Sequence, residues 1–334
     1  MTALRWVLPP DAVSADALRL HEVPLRQPGP GEVRVRVHAV SLNGRDQMVL
    51  RGPFGRIPGR ELVPLSDVAG VVDAVGDGVA EFEVGAAVTN LHWQDAPVPT
   101  PPLGLGALDA PGVLASHVVL PVNQVVRAPA HLGHVESATL PCAGVTAWNA
   151  LFGGREVAAG EKVASLGTGG VALYAMQLAK AAGADYFGVV RRASAERRLR
   201  DAGAAEVVNS ADFPQWGARL REITGGVRNV VDTVGTATIT DSLTALARQG
   251  EVALVGLFAR EPLPLDPMLL FGSGGSLRGV AVGTAAQHRE LIAFMERHDL
   301  RPVVDSVHEF GDAREAFAHH QRGGVVGKVV ITVP

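Results

Sequence analysis

Polar and apolar residues alternate along Glu32-Val33-Arg34-Val35-Arg36-Val37-His38-Ala39-Val40, the period-two pattern of a strand with one buried face. Similar patterning predicts strands at the N-terminus, over Leu65–Val75, over Ala86–Leu91 and over Val113–Leu120. Gly76-Asp77-Gly78 is a turn signal between two of them, and the proline- and glycine-rich run Gln94–Pro111 reads as a surface loop. Residues 1–123 are therefore predicted to be β-rich.

From Ala138 the pattern changes. A helix is predicted over Cys142–Phe152, after which short apolar strands alternate with amphipathic helices. The predicted strands are Lys162–Leu166, Tyr186–Val190, Glu206–Asn209, Asn229–Val234 and Glu251–Val255. The predicted helices are Val171–Ala182, Ser194–Asp201 with Ser194 as N-cap, Trp216–Ile223 and Thr240–Arg248. Such alternation specifies a parallel, doubly wound sheet. Beyond Leu263 it breaks: Ser276–Val282 is strand-like, Thr284–Arg297 and Ala313–His320 are helical, and Gly327–Val333 is a last strand.

At the first strand–helix junction stands Gly167-Thr168-Gly169-Gly170-Val171-Ala172, a G-x-G-x-x-A run in the context that gives it meaning. Gly167 permits the tight turn, Gly169 lets a pyrophosphate approach the backbone, and Ala172 lets the helix pack on the strand. The phosphates are expected at the helix N-terminus, where free N–H groups and the dipole favour negative charge. Gly167, Thr168, Gly169, Gly170 and Val171 are thus candidate cofactor-binding residues. At the end of the next strand, where an NAD enzyme carries an acid for the ribose diol, this chain has Arg191-Arg192-Ala193-Ser194. Arg191, Arg192 and Ser194 suit a 2′-phosphate instead, which points to NADPH.

The chain has 334 residues, enough for about two domains. A net charge of −4 without a basic block argues against nucleic acid as a partner. No apolar run reaches the roughly 18–20 residues of a membrane span. The N-terminus lacks the parts of a signal peptide, so a cytoplasmic location is expected. The single cysteine, Cys142, precludes an internal disulfide and a four-cysteine zinc site. Only three of the 30 basic residues are lysines (Lys162, Lys180, Lys328), so arginine clusters carry less information here than they would elsewhere. His131-x-x-His134 has no third ligand nearby and reads as two loop histidines; His319 and His320 read as surface residues.

Ser41-Leu42-Asn43-Gly44-Arg45-Asp46, Pro64-Leu65-Ser66-Asp67-Val68-Ala69-Gly70, Leu140-Pro141-Cys142-Ala143-Gly144-Val145-Thr146, the glycine run and Gly327-Lys328-Val329-Val330 together resemble the medium-chain dehydrogenase/reductase superfamily, and within it the zinc-free quinone oxidoreductase-like branch. The resemblance spans essentially the whole chain. It implies an α/β protein with a GroES-like β-rich catalytic domain built from both chain ends (1–123 and 265–334) around a Rossmann dinucleotide-binding domain (124–264). It also implies a homodimer paired along the Ser276–Val282 edge.

Zinc-containing members hold a catalytic metal with a cysteine, a histidine and a second cysteine; here Asn43 and Ser66 stand at the first two positions and only Cys142 remains. A thiol, an amide and a hydroxyl are a poor zinc set, so no metal is expected. The resemblance places Thr146 beside nicotinamide and Lys328 at the cofactor. Both tyrosines, Tyr174 and Tyr186, fall in the nucleotide-binding half. Asn43, Arg45 and water are left as candidate hydrogen-bond donors to a reacting oxygen, Asn43 alternatively binding the cofactor at the nicotinamide ribose, with Asp46 expected to pair locally with an arginine. Asn43 to Arg51, the Leu91–Leu108 loop and the segment Leu257–Gly275 are expected to line a small-molecule pocket. The expected activity is zinc-independent, NADPH-dependent hydride transfer to a quinone or an α,β-unsaturated carbonyl. The alternatives are a zinc-free carbonyl or alcohol oxidoreductase, and an NADPH-binding protein without turnover.

Overall fold

A computed structural model describes residues 1–52, 55–256 and 265–334. The chain forms two compact units, Met1–Ala143 with Thr284–Pro334, and Gly144–Gly283. These boundaries lie further along the chain than residues 124 and 264. Strand Val125–Arg127 closes the β-rich sheet of the first unit, and strand Ser276–Gly279 extends the parallel sheet of the second.

In the first unit a seven-stranded sheet runs Val304–Glu309, Lys328–Thr332, Glu32–Ser41, Asp67–Val75, Ala87–Asn90 and Val125–Arg127, with His117–Pro121 also pairing Glu32–Ser41. The register sets up the site. Val330 opposes Ser41, and Ser41 opposes Asp67, so the chain's last strand begins beside the end of one strand and the start of another. Val33, Val35 and Val37 point into the core as the alternation predicts. Arg34 breaks the pattern: it is buried because its guanidinium pairs with Asp73 at 2.9 Å and donates to Gln27 at 3.1 Å.

The second unit is a six-stranded, wholly parallel sheet in the order Glu206–Asn209, Asp185–Val190, Lys162–Leu166, Val227–Asp232, Leu246–Leu254, Ser276–Gly279. Strand order reverses between Lys162–Leu166 and Val227–Asp232, the switch point at which such sheets bind ligands beyond their carboxyl ends. Asp232, fully buried at that end, accepts hydrogen bonds from Val234 N, Gly235 N, Thr238 Oγ1 and Ser242 Oγ at 2.7–2.9 Å and so fixes the following loop.

Several predicted elements are shorter or shifted, each for a local reason. Leu65 has φ 72°, so the strand predicted from there starts at Asp67. Val282 has φ 48°, and the predicted strand stops at Gly279. The helix predicted over Thr240–Arg248 is Ile239–Thr244, because Leu246 is drawn into the sheet opposite Val227. Ser194 is not the N-cap; Arg192 is, and Ser194 lies exposed in the first turn of Ala193–Asp201. The helix predicted over Cys142–Phe152 is a π-helical stretch, Leu140–Gly144, running into the α-helix Val145–Phe152. Strand structure at Val113–Leu120 is confined to His117–Pro121. Among the described residues no helix is long and apolar enough to cross a membrane.

Candidate active site

In the β-rich unit, strand Glu32–Ser41 delivers Leu42 and Asn43 to the start of helix Gly44–Leu50, with Asn43 as N-cap. The Asn43 N–H donates to Asp46 Oδ2 at 2.7 Å, which closes a capping box and fixes the turn. Asp46 also pairs with Arg45 at 3.1 Å, the local partner expected from sequence. Burial raises the Asp46 carboxyl to about 6, against the opposing pull of Arg45.

Lys328 is the organising charge. It is 3% exposed, and its ammonium donates to Leu42 O at 2.6 Å and to Asn43 Oδ1 at 2.5 Å, with Asp67 Oδ2 at 3.9 Å. An ammonium only donates, so it fixes the amide's orientation: the Asn43 oxygen faces Lys328 and the NH₂ faces Ser66. That NH₂ makes one long bond, 3.4 Å, to Ser66 Oγ, which itself donates to Asp67 Oδ1 at 2.7 Å. The buried Asp67 carboxylate also accepts from Cys142 N at 3.2 Å. The structure thus brings Asn43, Ser66, Asp67, Cys142 and Lys328 into one polar cluster.

These groups do not fit a zinc ion. The Asn43 oxygen is committed to an ammonium and the Ser66 hydroxyl to a carboxylate. Burial and the Asp67 charge push the Cys142 thiol up to about 12, which keeps it protonated. Among the described residues no three His, Cys, Asp or Glu side chains form a metal-binding group. His131 bonds Leu300 O at 2.9 Å and His134 stacks on His38 at 4.6 Å, and among the described residues no third ligand joins them.

Arg45 is tied to its surroundings. Its guanidinium donates to Leu103 O at 2.8 Å, Leu105 O at 3.0 Å and Asp46 at 3.1 Å, which pins the loop Leu103–Leu105 against helix Gly44–Leu50. Lys328 is buried by its register position at the start of the last strand. His320 is half-buried rather than a surface residue, with burial lowering it to about 4, and His319 pairs with Asp305 at 2.7 Å. Of the expected pocket-lining segment Leu257–Gly275, residues 257–264 lie outside the described residues.

In the parallel-sheet unit, strand Lys162–Leu166 ends at Gly167, which has φ 83°, and Gly169 is the N-cap of the helix Gly170–Ala181. A Cβ at Gly167 or Gly169 would meet nothing within 4 Å, so open space lies over the turn. Ala172 is buried and its carbonyl accepts from Ser165 Oγ at 3.3 Å. The first-turn N–H groups of this helix, with no intrahelical acceptors, are free to hold an anion. The turn therefore fits a nucleotide pyrophosphate. Arg191, Arg192 and Ser194 are exposed just past strand Asp185–Val190, and Thr146 is buried in helix Val145–Phe152. Tyr186 is buried with its hydroxyl 2.6 Å from Ser165 Oγ.

Two histidines in the β-rich unit escaped the sequence reading. His92 follows strand Ala87–Asn90, and His288 lies on the buried face of helix Ala285–Arg297. The spacing of Ala285, His288, Leu291 and Ile292 carried the signal for His288, since it puts the histidine on the apolar face.

A β-rich unit formed from both chain ends and a parallel nucleotide-type sheet formed from the middle define a two-domain oxidoreductase architecture. Residues 29–130 match the alcohol dehydrogenase GroES-like domain, and residues 170–297 match the zinc-binding dehydrogenase family. The chain is 35% identical to the zinc-type alcohol dehydrogenase-like protein C1773.06c of Schizosaccharomyces pombe, over 99% of both chains. It is 27% identical to the quinone oxidoreductase of Sus scrofa, over 93% of this chain and 92% of that one. A solved NAD-dependent alcohol dehydrogenase superposes with a TM-score of 0.89 at 29% identity, over 100% of both chains. The chain belongs to the medium-chain dehydrogenase/reductase superfamily, a family of oxidoreductases.

Proposed function

We propose that the protein is an NADPH-dependent reductase that transfers hydride to a quinone or an α,β-unsaturated carbonyl without zinc. The observation that carries this reading is the Asn43–Lys328–Ser66–Asp67 cluster, in which every candidate metal ligand is occupied by a hydrogen bond or held protonated. Alcohol oxidation without a metal forfeits stabilisation of the alkoxide. Hydride addition to a conjugated acceptor spreads charge onto an oxygen that hydrogen bonds can serve.

In this reading the parallel-sheet unit holds the cofactor. Gly167 makes the turn, its own N–H held by Val189 O at 2.7 Å; backbone N–H groups of Gly169–Val171 take the pyrophosphate, and Arg191, Arg192 and Ser194 take the 2′-phosphate. The bound nicotinamide supplies the hydride. The β-rich unit supplies the reacting groups: Lys328 orients Asn43, and the Asn43 NH₂, held by only one long bond, donates to the substrate oxygen. The names of the relatives favour a second reading, alcohol or carbonyl interconversion. A substrate panel separates the two. Purified protein should oxidise NADPH with enones or quinones faster than NADP⁺ is reduced by simple secondary alcohols, at a rate that a chelator leaves unchanged. Activity lost to chelation, together with about one zinc per chain, overturns the zinc-free reading.

Arg191→Ala with Arg192→Ala should weaken NADPH binding about ten- to thirty-fold, the lower end of a charged hydrogen bond's worth at an exposed site, and leave NADH nearly untouched. Calorimetric titration with both cofactors checks it; equal losses mean that the arginines do not read the phosphate.

We also propose a homodimer. Strand Ser276–Gly279 is the sheet's edge strand, and the neighbouring helix Pro267–Ser273 exposes Met268 (62%) and Phe271 (81%). Light scattering should give a dimer at micromolar concentration, and Phe271→Asp should shift it toward monomer. A wild-type monomer would remove this element.

A further inference from the structure

His288 is 1% exposed, and among the described residues neither of its ring nitrogens has a hydrogen-bond partner. A buried, unpaired polar group costs free energy that nothing in its surroundings returns. His92, 5% exposed, repeats the anomaly: its Nδ1 is buried and unpartnered. The two belong to one wall. Ala285 and Ile292, which flank His288 on its helix face, pack in one apolar cluster with Leu91, the residue before His92. Two residues earlier, Asn90 donates to Ser66 O at 2.9 Å and accepts from Val68 N at 2.9 Å. That ties the end of strand Ala87–Asn90 to the polar cluster. The His92 ring lies against Gly104, in the loop that Arg45 pins; a Cβ there would sit 2.6 Å from Nε2. The negative charge of Asp67 acts on both imidazoles.

We propose that His92 and His288 form a carbonyl-binding subsite beside the Asn43–Ser66–Asp67–Lys328 cluster, donating imidazole N–H bonds to the substrate oxygen. The proposal rests on the reductase reading and deepens it by naming donors beyond Asn43. Both rings are neutral: burial lowers His288 to about 3 and His92 to about 4. A neutral imidazole carries one N–H donor and no charge to neutralise. As the β-carbon of an enone accepts hydride from the reduced cofactor, the C=C electron pair moves toward the carbonyl oxygen. The N–H bonds strengthen as charge grows there, and water then protonates the α-carbon. The cost of the orphaned nitrogens in the free protein is the mark of a site kept for a ligand's acceptor.

His288→Phe and His288→Gln, with the same pair at His92, test this against the wild type by single-turnover hydride transfer to 2-cyclohexen-1-one and by melting without substrate. His288→Phe should slow hydride transfer about 10²-fold, as loss of one preorganised donor does. It should also melt at the same temperature or about 2–4 °C higher, because an unpaired group has been removed. His288→Gln should recover most of the rate through its amide N–H. A His288→Phe rate per folded molecule within threefold of wild type overturns the inference, as does a lowered melting temperature with unchanged turnover.

A second arm is independent of catalysis. Imidazole ¹⁵N signals of His92 and His288, assigned through the variants, should shift on addition of cyclohexanone. If the wild type reduces no enone or quinone, the functional reading fails while this titration still decides the subsite: a shift supports it and unmoved signals overturn it.

Discussion

Lys328→Met is expected to unfold the protein at markedly lower denaturant, with a loss of about 3–5 kcal/mol, the usual result of removing one partner from a buried charged network. The ammonium donates to both the Leu42 carbonyl and Asn43 Oδ1, and it balances the buried Asp67 carboxylate at 3.9 Å. Methionine fills the space and satisfies none of these groups. The positive charge also favours the ionised form of Asp46 and the thiolate of Cys142, so its loss drives both toward the protonated form. Lys328→Arg should rescue little, because a planar guanidinium does not fit a site shaped around a point charge with two acceptors. Urea titration followed by far-UV circular dichroism reads the effect. A loss below about 1 kcal/mol, the level of an exposed pair, would mean that the cluster is far wetter than its burial indicates.

Asn43→Ala is expected to lower the hydride-transfer rate about 10²–10³-fold while NADPH binding persists, because it removes a preorganised donor. Lys328 makes the aspartate variant more informative than the alanine. Asn43→Asp retains an acceptor for the ammonium, so it should fold as well as the wild type. It lacks the amide N–H, so it should be at least as slow as alanine, and its carboxylate repels the developing enolate. An asparagine that only shapes its loop gives the opposite pattern: the alanine variant melts lower and reacts normally per folded molecule. Stopped-flow rates normalised to folded protein decide between them.

The chain's local patterns determined much by themselves. Period-two alternation placed the strand that now lies as Glu32–Ser41. Alternating strand and helix periods placed the parallel sheet, and the glycine run placed the turn now seen at Gly167, with its φ of 83°. These features depend on neighbours a few residues apart, and such information is written along the chain. Element ends were less legible, since Leu65 and Val282 stop their strands through positive φ values that tertiary packing imposes.

The site was legible as residues but not as roles. Asn43, Arg45 and Lys328 could be singled out from motifs. That Arg45 holds two loop carbonyls follows only from where the chain lays that loop against helix Gly44–Leu50, and that Lys328 reaches 285 positions back to Asn43 follows only from the register in which strand Lys328–Thr332 pairs with Glu32–Ser41. His92 and His288 lie far apart in sequence, and their segments come together through the Asn90–Ser66 bond and the packing of Leu91 with Ala285 and Ile292. Burial, charge balance and the absence of a partner are properties of that packing. No window of sequence contains them, because each depends on which distant segments the folded sheet brings together.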